Sequence, residues 1–121
     1  MSARPSRPLR DEEKSLIVKL LDRVPERARL IGQLDGAGVE EMHDGGMGSV
    51  LFQGPNEFKR RLANEVASGR FKDTDGTAVV VSVNIDQFGD LFELDLWKVD
   101  FSALIRFPRA DEVELEERRS G

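Results

Sequence analysis

Glu65-Val-Ala-Ser-Gly-Arg-Phe-Lys-Asp-Thr-Asp-Gly-Thr-Ala-Val-Val-Val-Ser-Val-Asn-Ile-Asp-Gln-Phe-Gly-Asp-Leu-Phe-Glu-Leu-Asp-Leu-Trp-Lys98 is the stretch on which the fold turns. Asp73-Thr74-Asp75-Gly76 has the chemistry of a type I turn followed by a glycine in the left-handed region, a common hairpin connection. Closing that loop with Asp73 opposite Thr77 sets Phe71 against Val79, Gly69 against Val81 and Ala67 against Val83. The next loop, Asp86-Gln87-Phe88-Gly89, is expected to pair Ile85 with Asp90. That register sets Val83 opposite Phe92, Val81 opposite Leu94 and Val79 opposite Leu96. Two separately chosen turns then place Phe71, Val79, Val81, Val83, Phe92, Leu94 and Leu96 on one face. A slip of one residue in either hairpin would destroy the agreement.

That face needs a cover. Leu16, Ile17, Leu20, Leu21 and Val24 recur at helical spacing, with Asp11 as the expected N-cap and Glu12 and Glu13 in the favourable first turn. Ala28, Leu30, Ile31 and Leu34 predict a shorter second helix that stops at Asp35-Gly36. From Gly38 the period changes to two. Val39–Met42 reads as a strand, Asp44-Gly45-Gly46 as a turn, and Gly48–Gln53 as its return. Phe58, Leu62 and Val66 fit helical spacing, so a short helix is expected over Asn56–Leu62. Ser102–Ile105 reads as one helical turn capped by Asp100. The fold class is α+β: an N-terminal amphipathic helix or helix pair on one face of a four- to five-stranded antiparallel meander.

With 121 residues the chain fits one domain, expected over 11–108, between a mobile basic arm (1–10) and a charged mobile tail (109–121). There is no cysteine, which excludes a disulfide framework, a thiolate metal site and a cysteine nucleophile. The net charge is −5, from 23 acidic and 18 basic residues, which argues against nonspecific nucleic-acid binding. No apolar run is long enough to span a membrane, and the basic N-terminus has no apolar stretch behind it. A cytoplasmic location is expected. The sequence offers no cofactor motif.

The face of the sheet opposite the apolar one carries three rows in the expected register: Ser68–Ser82–Glu93, Arg70–Val80–Asp95 and Lys72–Ala78–Trp97. As ordinary surface, Arg70 and Lys72 would offset Asp95 and Glu93, and a cation could lie over Trp97. As a recognition surface, Trp97, Glu93 and Asp95 would anchor a protein partner, with Arg70 and Lys72 beside them. A basic partner suits the acidic balance. A homodimer is left open, because the Val39–Met42 edge is expected to be unpaired.

A second cluster surrounds His43, the single histidine. With Glu41 or Asp44 assisting, it could act as the base of a small hydrolase. Without a second histidine, no typical zinc site can be completed, and no metal is assigned. The loop Gly45, Gly46, Gly48, Ser49 could offer backbone amides to an anion. It lacks the P-loop lysine, and Ser49 lacks the nucleophile-elbow pattern. Asp73-x-Asp75-Gly76 joins two strands rather than two helices, so it is read as a turn and not as a calcium loop.

Asp44-Gly-Gly-Met-Gly-Ser49 and Phe92-Glu-Leu-Asp-Leu-Trp-Lys-Val-Asp-Phe101 resemble the signature segments of a domain-of-unknown-function family of small bacterial proteins. The resemblance runs over most of Leu9–Pro108 and implies a bacterial, cytoplasmic, single-domain protein with no catalytic residue to carry over. Trp97-Lys98-x-Asp100-Phe101 also resembles the ending of several immunity proteins of bacterial toxin systems. That implies an interaction protein rather than an enzyme.

Overall fold

The computed structural model describes residues 6–54 and 59–116. Its elements run β1 (Arg7–Pro8), α1 (Asp11–Leu20), α2 (Arg27–Gly32), β2 (Gly38–Glu41), β3 (Val50–Phe52), β4 (Leu62–Lys72), β5 (Ala78–Asp86), β6 (Leu91–Lys98) and β7 (Glu114–Leu115). The strands form one seven-stranded antiparallel sheet in the order β1-β2-β3-β6-β5-β4-β7. The α+β class holds, but the sheet is larger than the four or five strands expected. It joins two runs of sequential neighbours, β1-β2-β3 and β4-β5-β6, and is not one continuous meander. After β3, which pairs with β6, the chain crosses to the far side of β5 to begin β4.

The first hairpin folds as read. The Asp73 amide donates to the Thr77 carbonyl at 2.9 Å, Gly76 sits at φ 81°, and Phe71, Gly69 and Ala67 oppose Val79, Val81 and Val83. The second hairpin differs. It repeats the first, with Asp86 opening the loop, its amide bonded to the Asp90 carbonyl at 2.9 Å, and Gly89 at φ 84°. The loop therefore closes one residue later on the β5 side than expected, with Asp86 rather than Ile85 opposite Asp90. An irregularity between Asn84 and Ile85 adds a second shift, so Asn84 pairs with Glu93 while Ile85 pairs with Leu91. Val83 meets Leu94, Val81 meets Leu96 and Val79 meets Lys98. Two single-residue shifts sum to an even number, so the faces survive although every partner changes. Phe92 is the exception. It falls in the bulge, half-buried, with the Arg60 guanidinium 5.3 Å from its ring centre.

On the apolar face, Leu16, Ile17, Leu20, Leu21 and Val24 pack against Phe71, Val79, Val81, Val83, Leu94 and Leu96. The helix begins one residue earlier than a cap at Asp11 would allow. Arg10 holds the N-cap position, and its amide donates to the Glu13 carboxylate at 2.9 Å. Asp11 is the first helical residue.

Other expectations change as well. Leu62 and Val66 lie in β4, not in a helix; their spacing also fits the outer end of a bulged strand, and 55–58 lie outside the described residues. Ser102–Ile105 is not helical. Asp100 instead accepts the Ser102 amide (3.0 Å) and hydroxyl (2.6 Å) in a local turn. The edge expected to be unpaired at Val39–Met42 is covered at Gly38 and Val39 by Pro8 and Arg7. Within the expected arm, Leu9 is buried, and within the expected tail Val113 is buried and Glu114–Leu115 pair with Arg70 and Gly69. Residues 1–5 and 117–121 of those two segments lie outside the described residues.

Candidate functional site: the outward face of the sheet

Strand alternation sends Leu94, Leu96 and Lys98 of β6 to the helix side and Glu93, Asp95 and Trp97 to the other. Both helices lie on the core side. The outward face is therefore not covered by a helix among the described residues. Its rows are Glu40–Leu51–Glu93–Asn84–Glu65, then Asp95–Ser82–Ser68, then Trp97–Val80–Arg70. This corrects the expected rows by the same two-residue shift. Trp97 lines up with Arg70 across Val80, and Lys72 with Ala78 alone among the expected set.

The charges are not offset as expected. No ion pair among the described residues involves Glu40, Glu65, Glu93 or Asp95, nor Arg70 or Lys72. Glu93 is 8 % exposed and accepts the Asn84 side-chain amide at 2.6 Å. Burial pushes its carboxyl above the ordinary range; the Asn84 bond opposes this, and the negative Asp95 adds to it. Asp95 Oδ1 accepts the Ser49 hydroxyl at 3.1 Å. No cation stacks on Trp97 among the described residues. Its ring, 42 % exposed, leans on Phe101 at 5.9 Å between centres and 57° between planes.

Phe101 was not singled out by the sequence reading. It is 70 % exposed and, among the described residues, the one non-glycine residue at positive φ, 65°. Phenylalanine has no preference for that region, so no local signal announces it.

At the end of β6, the neighbouring Lys98 faces inward and is 1 % exposed. Its ammonium donates to Asp73 (2.9 Å), Asp75 (2.8 Å) and the Ala103 carbonyl (3.3 Å). Burial alone would raise the Asp73 carboxyl; the Ile105 amide, Lys98 and the Thr74 and Arg106 amides outweigh it and hold it at about 2. The turn aspartates thus do have a cation to hold, and it is the chain's own lysine.

The His43 cluster is not assembled as a unit. His43 is exposed and makes no hydrogen bond or ion pair among the described residues. Glu41 takes Arg7 (3.0 Å) and Arg10 (3.7 Å). Asp44 accepts the Met47 and Ser49 amides at 3.0 and 2.9 Å. The glycine loop, with Gly45, Gly46 and Gly48 at φ 75°, 82° and 97°, therefore already holds an anion, its own Asp44. Ser49 is buried, its hydroxyl bonded to Asp95 and to both the amide and carbonyl of Leu96. Among the described residues, no three of His, Cys, Asp and Glu gather to hold a metal ion, and no helix is long and apolar enough to cross a membrane.

A family model, DUF6984, a domain of unknown function, matches residues 6–108. The chain belongs to the DUF6984 family. No curated protein and no solved structure matches it. The DUF6984 match takes in the whole outward face and the Lys98 cluster, and it ends before β7.

Proposed function

We propose that this DUF6984 domain is a non-catalytic protein–protein interaction module that docks a basic partner on the outward face of its sheet. The supporting observation is the set of carboxylates there, Glu40, Glu65, Glu93 and Asp95, left without ion pairs on a face that ends in the exposed Trp97. Elsewhere the chain pairs its buried acids: Glu13 with Arg7, Asp86 with Arg60, Asp73 with Lys98. A partner's cations would supply what the outward face lacks, speeding encounter and fixing orientation. Trp97 is the anchor, since tryptophan is a favoured hot-spot residue. Neutralising a basic toxin, as an immunity protein does, is one activity of this kind, and the Trp97–Phe101 resemblance supports it.

The test is affinity capture from the native lysate with the wild-type chain, Trp97→Ala and Val18→Ala. Val18 lies on the outer side of α1 and is as exposed as Trp97, 42 %. A stoichiometric partner retained by Val18→Ala and lost from Trp97→Ala is the expected result. A partner held equally by all three chains places the interface elsewhere and ends this reading.

A further inference from the structure

The turn that follows β6 holds an exposed aromatic ring in a conformation that costs an L-residue free energy. Phe101 sits at φ 65°, its amide donating to the Lys98 carbonyl at 2.9 Å. Lys98, clamped by Asp73 and Asp75, fixes one side of the turn, and Asp100, holding Ser102, fixes the other. The ring gains little burial in return, since it remains 70 % exposed. What the turn does achieve is placement: Phe101 meets Trp97 at 57° with ring centres 5.9 Å apart, so two partly exposed aromatic rings stand side by side. Asp95 precedes Trp97 by two residues on the same face, roughly 6–7 Å along the strand. One of its oxygens takes Ser49, and no cation approaches it among the described residues.

A guanidinium fits this arrangement better than an ammonium. It lies flat on an indole face and at the same time points N–H groups from its edge towards a carboxylate. The chain's own Arg70 is separated from Trp97 by Val80 and makes no such contact among the described residues. We propose that Trp97, Phe101 and Asp95 form a seat for an arginine side chain of the basic partner, a refinement that rests on the docking reading above.

Trp97 is the one tryptophan in the chain, so its fluorescence reports on this site alone. The full chain is titrated with acetylated, amidated hexa-arginine, hexa-lysine and hexa-citrulline, following Trp97 emission and, in parallel, the heat of binding. Hexa-arginine is expected to shift the emission and to bind about threefold or more tighter than hexa-lysine, which has equal charge and no planar head; citrulline, planar but neutral, leaves the emission unchanged. Phe101→Gly and Asp95→Asn each weaken hexa-arginine about threefold to thirtyfold. Phe101→Gly puts glycine where glycine is favoured, so it removes the ring without threatening the fold, and a thermal melt verifies that. Equal binding of the arginine and lysine peptides, silent Trp97 emission, or variants that bind like the wild type overturns the arginine seat. If Trp97→Ala still loses the captured partner, the docking face survives that failure with a different anchor chemistry. If capture ignores Trp97→Ala, the docking reading itself is gone.

Discussion

Trp97 and Lys98 are neighbours on one strand, and the surfaces they join treat charge in opposite ways. On the Lys98 side, two aspartates surround a buried ammonium, and backbone amides of Thr74, Ile105 and Arg106 complete the shell of Asp73. On the Trp97 side, Glu93 is nearly as buried yet has one amide and a second negative charge for company. The result is one carboxyl held at about 2 and another pushed above its ordinary value. The first pattern is what a fold builds when it needs an element fixed: Asp73 and Lys98 together fasten the segment after β6 to the first hairpin. The second makes no sense as stabilisation, because a buried carboxylate without a cation costs free energy. That difference separates the cluster that fastens the fold from the face proposed above for docking.

Breaking the first pattern is expected to have the largest effect. Asp73→Asn leaves Lys98 with a weaker partner at the buried end and replaces one of the two oxygens that accept from Lys98, Ile105, Thr74 and Arg106 with an NH2 group that cannot. Asp75 still holds the Lys98 ammonium, but the buried side loses its carboxylate, so the melting temperature should fall by roughly 10 °C at pH 7. The sign of the pH dependence follows from the depressed value. Asp73 titrates near 2 in the fold against an ordinary 3.8, so its contribution is full above about pH 4 and is lost as the pH falls towards 2. Melts of wild type and variant should therefore converge over that window. Curves that stay parallel from pH 7 to pH 2 would mean that Asp73 stabilises by packing and not by its charge.

How much of this could be read in advance depends on the kind of residue. The glycines at 76 and 89 and the alternation of Val79, Val81, Val83, Leu94 and Leu96 carry the central strands, because turn chemistry and period are local signals. The register of the second hairpin departs from expectation through two shifts: closure at Asp86, which repeats the Asp73 loop and is a local pattern, and a bulge at Phe92, which has no local signature; together they preserve the faces. Lys98 is legible in principle: it continues the inward series of Leu94 and Leu96, and an inward lysine requires acids, which the first hairpin turn supplies at Asp73 and Asp75. β1 and β7 are two residues each, one of them containing proline, too short for any period to show. Phe101 was out of reach. Its left-handed turn lies between Asp100, which holds Ser102 locally, and Lys98, whose anchors Asp73 and Asp75 reach it only in the folded chain.

Removing the mismatch on the outward face sharpens the comparison, with a smaller effect of opposite sign. Glu93→Gln keeps an oxygen for the Asn84 amide and removes the charge. Because the Glu93 carboxyl is raised in the fold above its ordinary 4.5, the fold prefers it protonated. Its favourable contribution is present below the unfolded value and is lost as the pH rises through the folded one. At pH 7 the variant should melt a few degrees higher than the wild type, and the gap should close below about pH 4. A variant that melts lower at pH 7 would show that the charge of Glu93 is met within the fold after all.

The smallest expected change concerns the turn between the two surfaces. Phe101→Gly relieves a left-handed phenylalanine and removes a ring that is mostly in water, at the expense of one tilted contact with Trp97 and of the added freedom of glycine in the unfolded chain. The strain relief is worth about 1 kcal/mol or somewhat more, and the lost contact and entropy offset about half of it. Chemical denaturation should therefore find the variant as stable as the wild type or slightly more so. A residue whose removal leaves the fold unharmed while weakening hexa-arginine would belong to the Trp97 surface in the sense drawn above, held in place by the fold without contributing to it. If the variant is instead destabilised by 2 kcal/mol or more, the ring is part of the packing at the end of β6, and the line between the two surfaces runs one residue further out than Trp97.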